Sequence, residues 1–452
     1  MSVRTPFLFI IYILFAVLGS TIHLNNAAKL ISYLSGITGL FLTFFIIEMD
    51  RTNKKFDIMN PKYVILLGFS IFIFIGMIKF AIDEINISSY SFTEVFAVIL
   101  LCYASFFAFV YAMTQNENKV GHKKRINREI IYSKLITISF MYFIISNFII
   151  SYVIPSIGGY ASEYFNVVGY IVYAGPVSSI YAGYILFIKK LKLNPIIKIL
   201  LLVIFTSGFI LGTSRTPITY ILISLLFLYV WNKYKSLPNL ITHYKINTGK
   251  VLLIAVIMLF VAGIYKASNI FYEEKSKISD LDINYAVEHG YRFEFVDAFQ
   301  NIFLIKNLFI DKGDFFYGET IFAAFINPIP RFIWPDKPKS LGYLLPERLQ
   351  GKEPTLSLST SFIGEFLVNF SYPGPIIGYF LLGIISMYYY KKYRQNSKDE
   401  YFVLIYSVFL VLMLLESRGD FLTINVRGLS YIFFTWLGLR FSSKKVKRES
   451  IQ

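Results

Sequence analysis

The sequence predicts an all-α, polytopic membrane protein, a single membrane domain over residues 1–452. Apolar residues make up 56% of the chain and charged residues only 16%. Mean hydropathy is +0.57. Apolar stretches of about twenty residues, the length a helix needs to cross a bilayer, recur from end to end. A segment in lipid must satisfy its own backbone hydrogen bonds. These runs are too long and too unbroken for barrel strands of about ten alternating residues, so they read as helices.

In chain order the spans fall at roughly 6–22, 29–47, 63–82, 92–114, 133–154, 167–188, 197–213, 217–231, 251–268, 359–390, 401–416 and 422–440, about twelve transmembrane helices. The first follows Arg4. Its end, Leu18-Gly-Ser-Thr21, is a poor small-x-small cleavage site, so it reads as an uncleaved helix. The fourth contains Cys102, the sole cysteine, which excludes an intramolecular disulfide and is assigned to packing. The tenth is long enough to hold a kink at Pro373 and Pro375, or a half-helix before them.

Charge fixes the expected sidedness. With the N-terminus inside, the cytoplasmic connections carry Arg51, Lys54, Lys55 and Lys62, then Lys119, Lys123, Lys124, Arg125 and Arg128, then Lys189, Lys190, Lys192 and Lys198. The pattern continues with Lys233, Lys235, Lys245 and Lys250, with Lys391, Lys392 and Arg394, and with the tail Lys444, Lys445, Lys447 and Arg448. The opposite loops at 83–91 and 155–166 have no Lys or Arg. Both termini are therefore expected in the cytoplasm. The net charge of +16 is spread over many short loops of one face, which topology and anionic headgroups explain without nucleic acid.

Between the ninth and tenth spans lies the one large insertion, an extracytoplasmic loop over 269–358. Residues 285–309 space apolar side chains at near-helical intervals and read as an amphipathic helix on the membrane surface. Residues 318–325 read as a short helix that must stop at Asn327-Pro328. Four prolines between 328 and 338 are then expected to hold the chain extended as a stiff rim.

The chemistry is sought on that face. No GxxxxGK[ST] or GxGxxG follows a strand-like run, so no bound nucleotide is expected, nor any other cofactor. The four histidines lack HxxxH or HExxH spacing, so no metal site is expected. Five arginines lie at or beyond the outer face: Arg215, Arg292, Arg331, Arg418 and Arg427. Guanidinium forks converging on one cavity would hold a phosphate or diphosphate bidentately. The alternative is that they reach lipid phosphates or pair with Glu416 and Asp420. Trp334 and Asp336 on the rim could meet a sugar, the indole by its face and the acid by its hydroxyls. Trp334 would serve equally as an interfacial anchor. Glu365 is an acid about two turns inside a span, placed for general base work or to orient an arginine. His289 is a second candidate base, or a solvated loop histidine.

These residues resemble the Wzy-type polymerases of O-antigen, capsule and exopolysaccharide repeat units. The resemblance rests on Pro-Arg-Phe-Ile-Trp-Pro-Asp-Lys-Pro at 330–338, the Ser214-Arg215 turn, and Gly364-Glu365 through Asn369-Phe370 and Gly374, together with the twelve-helix layout and the late outer loop. Arg331, ten residues and Gly342 look like the Arg-x10-Gly pattern of some outer loops in that family. Arg215 and Arg331 do not form a matched pair of such motifs. The resemblance implies a glycosyltransferase of GT-C architecture in the bacterial cytoplasmic membrane, joining undecaprenyl-diphosphate-linked oligosaccharides on the extracytoplasmic face. A chain-length regulator is the further partner it brings into view. It implies Arg215 with Arg292 or Arg331 on the leaving diphosphate, Arg418 as a further anion ligand, Glu365 or His289 as base, and Trp334 with Asp336 on the acceptor. An O-antigen ligase and a lipid-linked oligosaccharide flippase are the competing classes.

Overall fold

The computed structural model describes residues 27–53, 55–82, 90–115, 127–156, 165–210, 215–234, 297–330, 332–350 and 358–446. The expected spans at 6–22 and 251–268 lie outside the described residues. The rest of the expected layout is helical. Helix α1 is Ala27–Thr52, α2 Pro61–Ile82, α3 Phe92–Gln115 and α4 Tyr132–Ser156. Helix α5 runs through Phe165–Val172, Ala174–Gly183 and Tyr184–Lys189. Helices α6 and α7 are Pro195–Ile210 and Arg215–Tyr234. Among the described residues, five helices are long and apolar enough to cross a membrane: α1 to α4, and α5 over Gly169–Lys189.

Three of these helices loosen into π-helical turns, at Phe69–Phe74 in α2, Ile149–Val153 in α4 and Tyr184–Lys189 in α5. An extra residue per turn rotates the side chains that follow. In α2 the loosened turn turns Phe69 and Phe74 inward onto Phe106 of α3, with ring centroids 5.4 Å apart in both pairs.

The insertion folds into three helices among the described residues: α8 Asp297–Leu308, α9 Glu319–Ile326 and α10 Leu341–Gln350. Helix α9 starts and stops as the sequence predicts. Of the expected amphipathic surface helix, residues 285–296 lie outside the described residues, and the described part is not on a surface. Ala298, Phe299, Ile302, Phe303 and Ile305 of α8 are fully buried, with Phe303 stacked on Phe80 of α2 at 4.7 Å. Ion pairs fasten its two ends, Lys79 to Asp297 at 2.8 Å and Lys306 to Glu94 at 3.2 Å. Burial disfavours the Lys306 charge, but hydrogen bonds and charge from Asp311 and Glu94 outweigh it and hold the ammonium above its ordinary range. The expected extended rim is also corrected. Residues 332–333 and 335–336 are turns, with Ile333 and Trp334 N–H both donating to Pro330 C=O at 3.0 and 3.1 Å. Proline presets the backbone for a turn as readily as for an extended run.

The expected tenth span divides into α11 Ser361–Phe370 and α12 Pro373–Gln395. Pro373 has no N–H to continue the helix, and Ser371 takes a φ of +57° at the break. Helix α13 is Glu400–Glu416 and α14 is Phe421–Phe441. Helix α12 packs along α3, and α13 lies among α2, α7 and α14. One exception to the all-α reading appears. Strand β1, Asn127–Ile130, pairs antiparallel with β2, Ser443–Val446.

Polar contacts sort the helix ends into two sets. At the end rich in lysine and arginine, Glu400 accepts from Lys189 at 2.6 Å and from the hydroxyls of Tyr132 and Tyr184. There too Lys62 pairs with Asp50 at 2.6 Å, Tyr390 donates to Asp57 at 2.8 Å, and Trp231 Nε1 donates to Ser397 C=O at 2.7 Å. At the other end α8, α9 and α10 meet the start of α11 and the turn between α13 and α14. This is the grouping that alternate crossings of one layer produce.

Candidate functional site

Helix α11 places Glu365 and Asn369 one turn apart, on the face turned toward α9. Asn369 Nδ2 donates to Thr320 Oγ1 and to Glu365 C=O, both at 2.7 Å. The Thr320 hydroxyl in turn donates to Glu365 Oε1. The N–H of Gly318, itself at a φ of +95° that favours glycine, donates to Asn369 Oδ1 at 2.8 Å. Phe421 N–H of α14 reaches Glu365 Oε2 at 3.3 Å. The Thr320 hydroxyl and Phe421 N–H donate to a carboxylate that is fully buried. Buried polar groups need such partners, and each would be costly to strand.

The turn Glu416-Ser417-Arg418-Gly419-Asp420 closes the other side. Arg418 C=O accepts from Ser361 N–H at 3.0 Å, so the start of α11 is tied to this turn. Asp420 caps α14 by accepting from Thr423 N–H at 2.8 Å. Burial pushes its carboxyl above the usual carboxylate range, with the Thr423 hydrogen bonds and Arg427 pulling against that. Helix α10 approaches closely. A Cβ at Gly342 would lie 2.8 Å from Asp420 Oδ2 and 2.9 Å from Leu358 C=O. Glu416, also buried, is hydrogen-bonded to Asn425.

Arg427 of α14 donates to Thr216 Oγ1 of α7 at 3.2 Å and is hydrogen-bonded to Tyr173 of α5. Tyr173 and Tyr220 pack against Tyr431 with centroids 5.4 and 4.4 Å away. Asn327 at the end of α9 donates to Tyr170 at 2.8 Å. Thus α5, α7, α9, α11 and α14 converge on one polar layer.

Of the expected site residues, Glu365 and Arg418 belong to this layer. The hydrogen bonds to Glu365 come from a hydroxyl and two amide-bearing neighbours. Trp334 and Asp336 are exposed on the turns after α9. Those turns are held by buried Lys337, whose Nζ donates to Asn327 and Ile329 C=O at 3.0 and 2.8 Å. Arg215 opens α7 beside Thr216, but its side chain lies outside the described residues, as do Arg331, Arg292 and His289. No group of three or more His, Cys, Asp or Glu suited to a metal occurs among the described residues.

Sequence reasoning passed over Thr320, Thr216 and Tyr173, because hydroxyls recur throughout so apolar a chain. Asp420 and Glu416 entered it only as possible arginine partners. Compared with known proteins, the chain matches no family model, no curated relative and no solved structure.

Proposed function

We propose that this protein is a glycosyltransferase of the bacterial cytoplasmic membrane that joins undecaprenyl-diphosphate-linked oligosaccharide repeat units into a surface polysaccharide on the extracytoplasmic face. The observation that carries this reading is the polar layer itself. A buried carboxylate in the short helix that precedes the break of a long apolar segment is roofed by the large insertion and lies beside an arginine-bearing turn. Its position at the end opposite the lysine-rich loops supports the outward face, and the alternation of helix ends supports about twelve spans with both termini inside.

In this reading a sugar hydroxyl of one lipid-linked unit attacks the anomeric carbon of the growing chain. The bond to diphosphate breaks, and the diphosphate leaves with the electron pair. Arg215, with Arg292 or Arg331, neutralises the charge that develops on it. Arg418 adds a guanidinium from the turn. Trp334 and Asp336, exposed on firmly held turns, position the acceptor. Glu365 is enclosed by Thr320 and Phe421, which supports a role in positioning the roof. His289 is then the base that takes the hydroxyl proton.

The decisive experiment deletes the gene and compares surface and lipid-linked glycans with the parent on a gel. A lost polymer ladder, with single repeat units still delivered to their final acceptor, is the expected result. Full-length polymer accumulating on undecaprenyl diphosphate would replace this reading by a ligase, and units trapped inside by a flippase. Arg215→Ala, expressed normally, should abolish chain extension. Undiminished polymer would remove its anion role.

A further inference from the structure

Helix α9 has two faces of opposite character. Thr320, Ala323 and Ile326 are buried against the bundle, while Phe322 and Phe325 are 50% and 69% exposed. The apolar surface continues beyond the helix on both sides. Tyr317 before it is 82% exposed, and Ile333 in the following turns is 64% exposed, with Phe332 and Trp334 beside it also exposed. Six large apolar side chains within eighteen residues form a patch that a protein surface in water rarely presents.

These side chains do not stand out because the segment is loosely attached. Thr320 and Asn369 fasten the start of α9, Asn327 and Tyr170 its end, and Lys337 the turns. A firmly held apolar face needs a partner of its own. The neighbouring surface says which. Phe370 of α11 lies against Gly318, with Phe370 Cζ 3.5 Å from where a glycine Cβ would be. Exposed Phe370 and Tyr372 then lead onto Ile376, Ile377, Phe380 and Leu381 of α12. That row of apolar side chains, on a 23-residue helix, is the surface a spanning helix gives to acyl chains.

We propose that α9 and the turn at 332–334 are seated in the acyl layer of the bilayer, as an in-plane amphipathic anchor continuous with the lipid-facing side of α12. Trp334 lies at its margin, where an indole serves both apolar and hydrated surroundings. The same eight-residue helix thus holds Glu365 on its inner face and contacts lipid on its outer one. A substrate carried on a lipid would meet this layer from the side. The inference rests on the proposed function only in taking this end of the chain to face the outer leaflet.

The test uses site-directed spin labelling of the full chain in phosphatidylethanolamine/phosphatidylglycerol vesicles. Cys102 is the sole cysteine and is buried, so an introduced cysteine is the thiol a nitroxide reaches. Labels at Phe325→Cys and Phe322→Cys should collide more with oxygen than with a water-soluble nickel chelate, as a label at Ile377→Cys does. A label at Lys312→Cys, on an exposed loop, should show the reverse. If the labels at 322 and 325 follow 312 rather than 377, the seating is overturned. Either of the two variants suffices should the other fail to fold. No polymer is assayed, so this result and the fate of the transferase reading are independent.

Discussion

Replacing Thr320 by valine keeps the shape of the side chain and removes the hydroxyl that both accepts from Asn369 and donates to Glu365. Two buried groups lose a partner at once. We expect Thr320→Val to destabilise the purified protein by about 1–3 kcal/mol and Thr320→Ser to restore it, measured by thermal unfolding in detergent. Asp420 gives a pH test. Its folded-state pKa is raised by burial, so its protonated form is the one the fold favours. That contribution is fully present below the unfolded-state value and is lost as pH rises through the folded-state value. Wild type should therefore gain stability as pH falls through the folded-state value. Asp420→Asn, which still caps α14 without a buried charge, should lose that gain and match or exceed wild type at pH 7. A steeper pH response in the variant would refute this. Glu365 was legible in the sequence because an acid inside an apolar run is costly and therefore conspicuous. Thr320 was not, since its role depends on a contact made across 45 positions of chain.

Close approach between elements is where a single methyl should matter most. Helix α10 reaches Asp420 through Gly342, so Gly342→Ala must push the helix off the turn or displace the carboxylate that caps α14. A cost of about 1–3 kcal/mol is expected from such overpacking, read as a lower unfolding temperature. An unchanged midpoint would mean that α10 slides freely over the turn. The sequence presented Gly342 as one end of a spacing pattern, and the structure gives it a steric reason. Other elements were legible in part. Pro373 disclosed the break between α11 and α12, and Asn327-Pro328 the end of α9, because proline acts on its local backbone. In the described part of the 285–309 segment, residues 297–309, the periodicity was misassigned to a membrane surface. An apolar stripe announces burial, and whether lipid or protein covers it is decided by distant partners, here Phe80 and Ile363 in the same core as Phe303 and Ile305. The π-helical turns left no readable mark.

Across the whole molecule, the two sets of helix ends make a sidedness experiment direct. Lys312 lies in the insertion, and Lys444 is exposed at the other end, where it pairs with Glu129 at 3.2 Å. An exposed pair of this kind contributes little, so both positions tolerate cysteine. A membrane-impermeant maleimide should label Lys312→Cys in intact cells and Lys444→Cys only after the membrane is opened. Labelling of both from outside would refute the assigned topology. Glu400 should behave differently, because it gathers Lys189, Tyr132 and Tyr184 from two other helices. Glu400→Ala strands a partly buried lysine, and a loss of about 3 kcal/mol is expected in thermal unfolding. Charge alone gave the expected layer order, since basic loops alternate along the chain, and the labelling is what tests it. The β1–β2 ribbon was not, because neither strand is apolar enough to announce itself.

That ribbon also sets an order of events during synthesis. Ile130 pairs with Ser443, so the loop before α4 cannot find its partner until the chain as far as Ser443 has left the ribosome. At translation rates of about 5–20 residues per second the interval is on the order of tens of seconds. Throughout it, the helices made before β2 must persist in the membrane with their basic end unlatched, and β2 is the segment that fastens it.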